Sequence, residues 1–150
     1  IAKLDSLWSA REVLRGYFDD EFDTLVCNID LANDTDFDDM SGEKWRREVI
    51  AEIDGLFYTI RALRPFMNRN GGSIIIAAAK DENSGFASKI MESYIEGLTR
   101  SLSESMRSVG IHVNAIIYRN SDYAGSHVFE AVRQLASSDS SFITGQIIRL

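Results

Sequence analysis

Residues 72–89 read GSIIIAAAKDENSGFASK, and this stretch decides the fold class. Ile74, Ile75, Ile76 and Ala77 form an unbroken apolar run, the pattern of a strand covered on both faces in a parallel sheet. A short polar loop follows, and Gly-Phe-Ala-Ser-Lys then opens a helical pattern with Ser84 placed to cap it. That helix is expected over about 84–108, with Ile90, Tyr94, Leu98, Leu102 and Met106 as its main apolar stripe and Met91, Ile95 and Met106 as a second. Gly110 is expected to close it as a C-cap.

Outward from this unit the same alternation repeats. Toward the N-terminus, Ile1–Asp5 reads as the end of a strand, and Ser6 caps a helix to about Phe18. Phe22–Asn28 (FDTLVCN) is a short apolar strand, and 29–41 is an acidic loop. Ser41 to about Met67 is a long helix in which Val49, Ile53, Leu56, Phe57, Ile60 and Leu63 recur at three and four. Pro65 sits near its end, where a break is tolerated, and Asn68–Gly72 is a turn. Toward the C-terminus, Ile111–Tyr118 is a strand, His127–Ser137 a shorter helix and Ile143–Leu150 a last strand. Strands alternating with helices predict right-handed crossovers and a Rossmann-like parallel sheet of four to five strands flanked by helices.

Bulk properties narrow the function. The 150 residues make a single domain with enough chain for a real core, and 45% are hydrophobic against 26% charged. A net charge of -7 argues against nucleic acid and against anionic membrane surfaces. Cys27 is the only cysteine, so a disulfide framework or a Cys-based zinc site within the chain is excluded. No apolar run approaches a membrane span, and a cytoplasmic location is the expectation. The chain begins at Ile1 and not at Met.

Several pieces taken in order resemble the short-chain dehydrogenase/reductase family. Leu4-Asp5-Ser6 is similar to the family's Asp after its third strand, which faces the adenine. Phe22–Asn28 resembles the strand ending in Asn-Asn-Ala-Gly. Trp45–Met67, with Gly55, Leu56, Phe57, Arg61, Ala62 and Pro65, resembles the long interface helix. Gly72–Ala79 looks like the strand ending in the catalytic Ser, and Ala87-Ser88-Lys89 like the end of Tyr-x-x-x-Lys. Gly110–Ile116 (GIHVNAI) and Ile143–Gln146 (ITGQ) complete the series, which covers nearly the whole chain. The resemblance implies a domain over 1–150 that is incomplete at its N-terminus, because the first two strands and the glycine-rich phosphate loop have no counterpart.

Departures from the pattern fall on its chemistry. The family's catalytic Ser aligns with Ala79, its Tyr with Gly85 and its structural Asn with Glu52. Lys89 is the only match to the catalytic set, and a lysine that tunes a tyrosine has no proton to manage without the phenol. Asn-Asn-Ala-Gly reads Cys27-Asn28-Ile29-Asp30, which puts a carboxylate where an anionic dinucleotide passes. The usual Pro-Gly reads Tyr118-Arg119, and the segments after Ala79 and after Arg119 are shorter than in the family. By family position Asp5 and Asn28 are the candidate cofactor-binding residues.

Other residues favour plain readings. Lys89 suits a first-turn helix lysine, and Tyr94 lies beyond the reach of the lost tyrosine. Asp34, Asp36, Asp38 and Asp39 alternate like an EF-hand start, but Asp39 stands at the sixth position and Trp45 at the twelfth, so no metal is expected. His112 and His127 lack spaced partners, Cys27 suits a small core residue, and Trp8 and Trp45 suit packing near helix starts.

The expectation is a degenerate, non-catalytic domain that binds no cofactor and assembles as a homo-oligomer or with an SDR-like partner through helices 41–67 and 84–108. The alternative is an NAD- or NADP-dependent short-chain oxidoreductase whose cofactor-binding half and mobile loops lie outside this sequence. A third reading makes the chain the structural half of a larger ketoreductase-like assembly.

Overall fold

The computed structural model describes residues 21–31, 35–67, 71–82, 84–119 and 126–150. Among them β1 (Thr24–Asp30), β2 (Gly72–Lys80), β3 (Ile111–Arg119) and β4 (Ile147–Arg149) form one parallel sheet in the order β1-β2-β3-β4. The expected strand and helix at 1–18 lie outside the described residues. β1 is shifted two residues later than expected, and β2 extends beyond the apolar run Ile74–Ala77 at both ends, because each of its residues pairs with a residue of β3 from Gly72↔Ile111 to Lys80↔Arg119.

Between β1 and β2 the chain is helical from α1 (Gly42–Trp45) through a π-helical turn (Arg46–Ile50) into α2 (Ala51–Leu63). Ser41 caps α1, its hydroxyl accepting from the Lys44 N–H at 3.2 Å. Arg64–Phe66 tightens into a 3-10 turn with Pro65 inside it, so the helix stops short of Met67. α3 (Phe86–Met106) follows β2 and α4 (Ser126–Ala136) follows β3. Gly85, not Ser84, holds the α3 cap position, and the Ser84 hydroxyl donates instead to the Asp81 carbonyl at 2.8 Å. Gly110 closes the helical run at φ 70°, as expected for a left-handed C-cap.

Strand alternation sorts the core into two layers. On one face Leu25, Cys27 and Ile29 of β1, Ile74, Ile76 and Ala78 of β2, and Val113, Ala115 and Ile117 of β3 pack with Val49, Leu56, Ile60, Met91 and Ile95. On the other, Ile75, Ala77 and Ala79 of β2 and Ile116 and Tyr118 of β3 pack against Val128 and Leu135 of α4. Ile74, Ile75 and Ile76 have no accessible surface at all, and each such side chain stabilises the fold by about 1.5–3 kcal/mol of burial.

Two expectations about the helices are corrected by this packing. The buried stripe of α3 runs through Ala87, Ser88, Met91, Ile95, Thr99 and Ser103, while Ile90, Tyr94, Leu98, Leu102 and Met106 are only partly covered at its flank. The small residues let the helix lie close to the sheet and turn its larger side chains toward α2. Second, the three crossovers cannot share one hand. All four strands step the same way, yet α2 and α3 lie on one face and α4 on the other. The second face of β2 and β3 carries Ile75 and Ile116, and α4 is what buries them.

The last strand is also shorter than expected. Buried Asn114 donates through Nδ2 to the Ile143 carbonyl at 2.9 Å and accepts at Oδ1 from the Gln146 N–H at 3.1 Å. Thr144 Oγ1 accepts from the Val113 N–H at 3.1 Å, and Gly145 takes φ 74°. These side-chain bonds, together with backbone bonds from the Gly145 N–H to the Val113 carbonyl at 2.7 Å and from the Ala115 N–H to the Gln146 carbonyl at 2.9 Å, hold 143–146 to β3, and regular strand pairing starts at Ile147. On the surface, Arg149 of β4 pairs with Glu92 at 3.3 Å and with Glu96 of α3.

Candidate functional site

Open parallel sheets hold ligands beyond the carboxyl ends of their strands. Here those ends bring Asp30, Ala79 and Tyr118 into one row on the α4 face, with Asn28, Ala77 and Ile116 in the row before it. Ala79 is buried and carries only a methyl group. Gly85 caps α3 with no side chain to offer, so neither position supplies an oxygen. Lys89 lies exposed on the first turn of α3. Asp5 lies outside the described residues.

The side chain of Asn28 is already engaged. Tyr118, 1% exposed, donates its hydroxyl to Asn28 Oδ1 at 3.2 Å. The bond spans β2, passing the row of Ala77 and Ala79. Sequence reading placed Tyr118 only as a departure from Pro-Gly and did not see this contact. Its signal was the pairing of a bulky strand-end residue with a run of three alanines, which becomes meaningful only once the register is known.

Around the end of β1, beside α2 and α3, a cleft of about 200 Å³ is lined by Asp30, Leu31, Arg47, Glu48, Glu52, Ala87, Ser88 and Met91. The π-helical turn supplies Arg47 and Glu48, and wide turns of this kind often mark sites where a helix is re-aimed. Arg47 pairs with Glu48 at 3.0 Å, and Glu48 Oε2 accepts from Thr35 Oγ1 at 3.4 Å. The lining thus carries the side chains of Asp30, Glu48 and Glu52 beside Arg47. Glu52 and Asp30, both read from the sequence as departures, share this cleft. The buried Ser88 hydroxyl has no hydrogen-bond partner.

Lys80 bonds Glu92 at 3.3 Å, and Arg119 sits 3.9 Å from Glu82. Tyr94 donates to the Ile53 carbonyl at 3.5 Å and belongs to the packing between α3 and α2. Burial first, and the Asp54 carboxylate second, push its phenol above the ordinary range. Burial raises the Cys27 thiol to about 11, which makes it a poor nucleophile. His112 lies in β3 and exposed His127 starts α4, well separated in the chain. Among the described residues no group of three or more His, Cys, Asp or Glu side chains is arranged to hold a metal ion, and no helix is long and apolar enough to cross a membrane. Asp34 lies outside the described residues.

A second surface concerns the long helices. A cleft of about 220 Å³ runs between them, lined by Phe57, Ile60, Arg61, Arg64, Leu98, Leu102 and Met106. Phe57 is 40% exposed and Ile50 37%.

Comparison with known proteins adds three kinds of likeness. Residues 2–122 match the family model described as enoyl-(acyl carrier protein) reductase. The chain is 31% identical over 97 residues to an uncharacterized oxidoreductase of Schizosaccharomyces pombe, covering 61% of this chain and 38% of that one. It is 25% identical over 146 residues to trans-4-hydroxycyclohexanecarboxylate dehydrogenase of Sinomonas cyclohexanicum, covering 82% of this chain and 56% of that one. Among solved structures, acetoin dehydrogenase from Enterobacter cloacae superposes with TM-score 0.80 at 23% identity, over 94% of this chain and 66% of the other, a likeness of fold. A 3-oxoacyl-[acyl-carrier protein] reductase with bound NAD from Brucella melitensis gives TM-score 0.73 at 25% identity, over 86% of this chain and 60% of the other. The chain therefore spans between about a third and two thirds of the length of these relatives.

Proposed function

The chain belongs to the short-chain dehydrogenase/reductase family, and from that premise we propose that it is a non-catalytic member of this oxidoreductase family that works by assembly. It pairs with a second copy of itself, or with an SDR-like partner, through the outer faces of α2 and α3. The observation that carries this reading is the apolar cleft between those helices. Phe57, Leu98, Leu102 and Met106 line one surface, and Phe57 is large and well exposed. Such a face on outer helices is stabilised by covering it.

Loss of catalysis is supported by what stands at the carboxyl ends of the strands. Ala79 and Gly85 supply no hydroxyl, and Lys89 alone has no proton to relay. Asp30 puts a side chain where the family pattern has a glycine, which opposes NAD or NADP by its bulk. Asn28, a family cofactor position, spends its side-chain oxygen on Tyr118. No cofactor is therefore proposed.

A second reading is an NAD(P)-dependent oxidoreductase completed by residues outside this sequence. It is favoured by the names of the relatives and by the share of their length that this chain spans. Sedimentation equilibrium of the purified chain tests the assembly reading. A concentration-dependent dimer or mixed complex is expected, and a monomer at all concentrations with or without SDR partners rejects it.

A further inference from the structure

We infer that Tyr118 is the chain's own occupant of a crevice for a planar aromatic ring at the carboxyl end of the sheet. β3 and β1 stand two strand spacings apart, roughly 10 Å, with β2 between them. Tyr118 bridges that gap from a nearly inaccessible position, its hydroxyl meeting Asn28 Oδ1 at 3.2 Å. The register sets Ala79 beside Tyr118 and Ala77 beside Asn28. The ring therefore crosses two methyl groups, and a branched side chain at either position would fill its path.

The space so described has a floor of alanines, a hydrogen-bond acceptor at its far end and a wall from the α4 side, where Val128 and Leu135 join the same cluster. It lies at the last row that β1, β2 and β3 share, toward the strand ends where open α/β sheets accept ligands. Its shape and polarity suit a six-membered planar ring bearing one hydrogen-bond donor. In this chain a side chain of that description already sits there. This deepens the non-catalytic reading and rests on it: the sheet end is sealed from within as well as stripped of its reacting groups.

The test uses the full chain with Tyr118→Val and Tyr118→Ala, titrated with phenol, toluene and nicotinamide by ligand-observed NMR. The wild type is expected to take up none of them. The substituted chains are expected to bind phenol and nicotinamide at least about tenfold more tightly than the wild type does. Phenol should outbind toluene, and adding Asn28→Ala should erase that preference, because the acceptor is gone. Tyr118→Val retains a strand-forming side chain should Tyr118→Ala fail to fold. Tyr118→Phe keeps the ring and should stay closed to all three probes; uptake by this variant overturns the inference. A folded Tyr118→Val or Tyr118→Ala chain without uptake, or nicotinamide binding to the wild type at the variants' strength, also overturns it. Oxidoreductase turnover by the wild type would instead reject the non-catalytic reading, and the probe titrations would still decide what fills the crevice.

Discussion

Phe57→Ala should weaken self-association by a calculable amount. Phe57 is 40% exposed in the single chain. A phenylalanine side chain offers about 200 Å² to bury, so about 80 Å² remains for a partner to cover. At about 25 cal/mol per Å² that is about 2 kcal/mol for each copy. A two-fold pairing uses the same surface twice, so the substitution costs about 4 kcal/mol, or nearly a thousandfold in Kd. The part of the ring already covered contributes to the fold of the single chain, so thermal unfolding of the variant is the necessary companion measurement. Sedimentation equilibrium over a dilution series reads the Kd directly. A folded Phe57→Ala chain whose dissociation constant stays within about threefold of wild type refutes the placement of the interface on α2 and α3.

Other consequences are local. Asn114→Ala removes both side-chain bonds to the 143–146 segment; a loss of about 2–4 kcal/mol and a Tm lowered by about 4–12 °C are expected by calorimetry. Hydrogen exchange across 143–149 should accelerate in that variant, and unchanged protection would show that Asn114 does not hold the segment. Cys27 titrates near 11 in the fold against 9.0 for a free thiol, because burial disfavours the thiolate. Its contribution is therefore complete below about pH 9 and is lost as pH rises toward 11, on the order of 2–3 kcal/mol. Urea midpoints of wild type and Cys27→Ala should diverge in pH slope only over that window; equal slopes would contradict the burial argument.

Much of the fold was legible because its signals are local. The run Ile74–Ala77 declares a strand covered on both faces, and Gly110 marks the end of the helical run that follows it. What was misread depends on neighbours. The 3.6-residue pattern of α3 admits more than one apolar stripe, and only docking shows that Ala87, Ser88 and Thr99 face the sheet while Leu98 and Leu102 face α2. The side on which α4 packs is set by Ile75 and Ile116, which lie about forty residues apart in sequence and meet only in the sheet. Asn114 shortened the last strand through side-chain bonds that no periodicity reports.

The candidate site divides in the same way. The substitutions Ala79, Gly85, Glu52 and Asp30 could be read by matching a family pattern, since each is a residue identity at a known position. The Tyr118–Asn28 bond could not, because it joins residues ninety positions apart through the register of three strands. The π-helical turn that brings Arg47 and Glu48 to the acidic cleft leaves no mark in the apolar spacing either.

The most direct test of the central claim is a calorimetric titration of the purified chain with NADH and NADPH. Asp30 in place of a glycine, an engaged Asn28 and a ring-filled crevice predict no saturable heat up to millimolar cofactor. Saturable binding at micromolar concentration would contradict the account and favour an oxidoreductase completed by residues beyond this sequence.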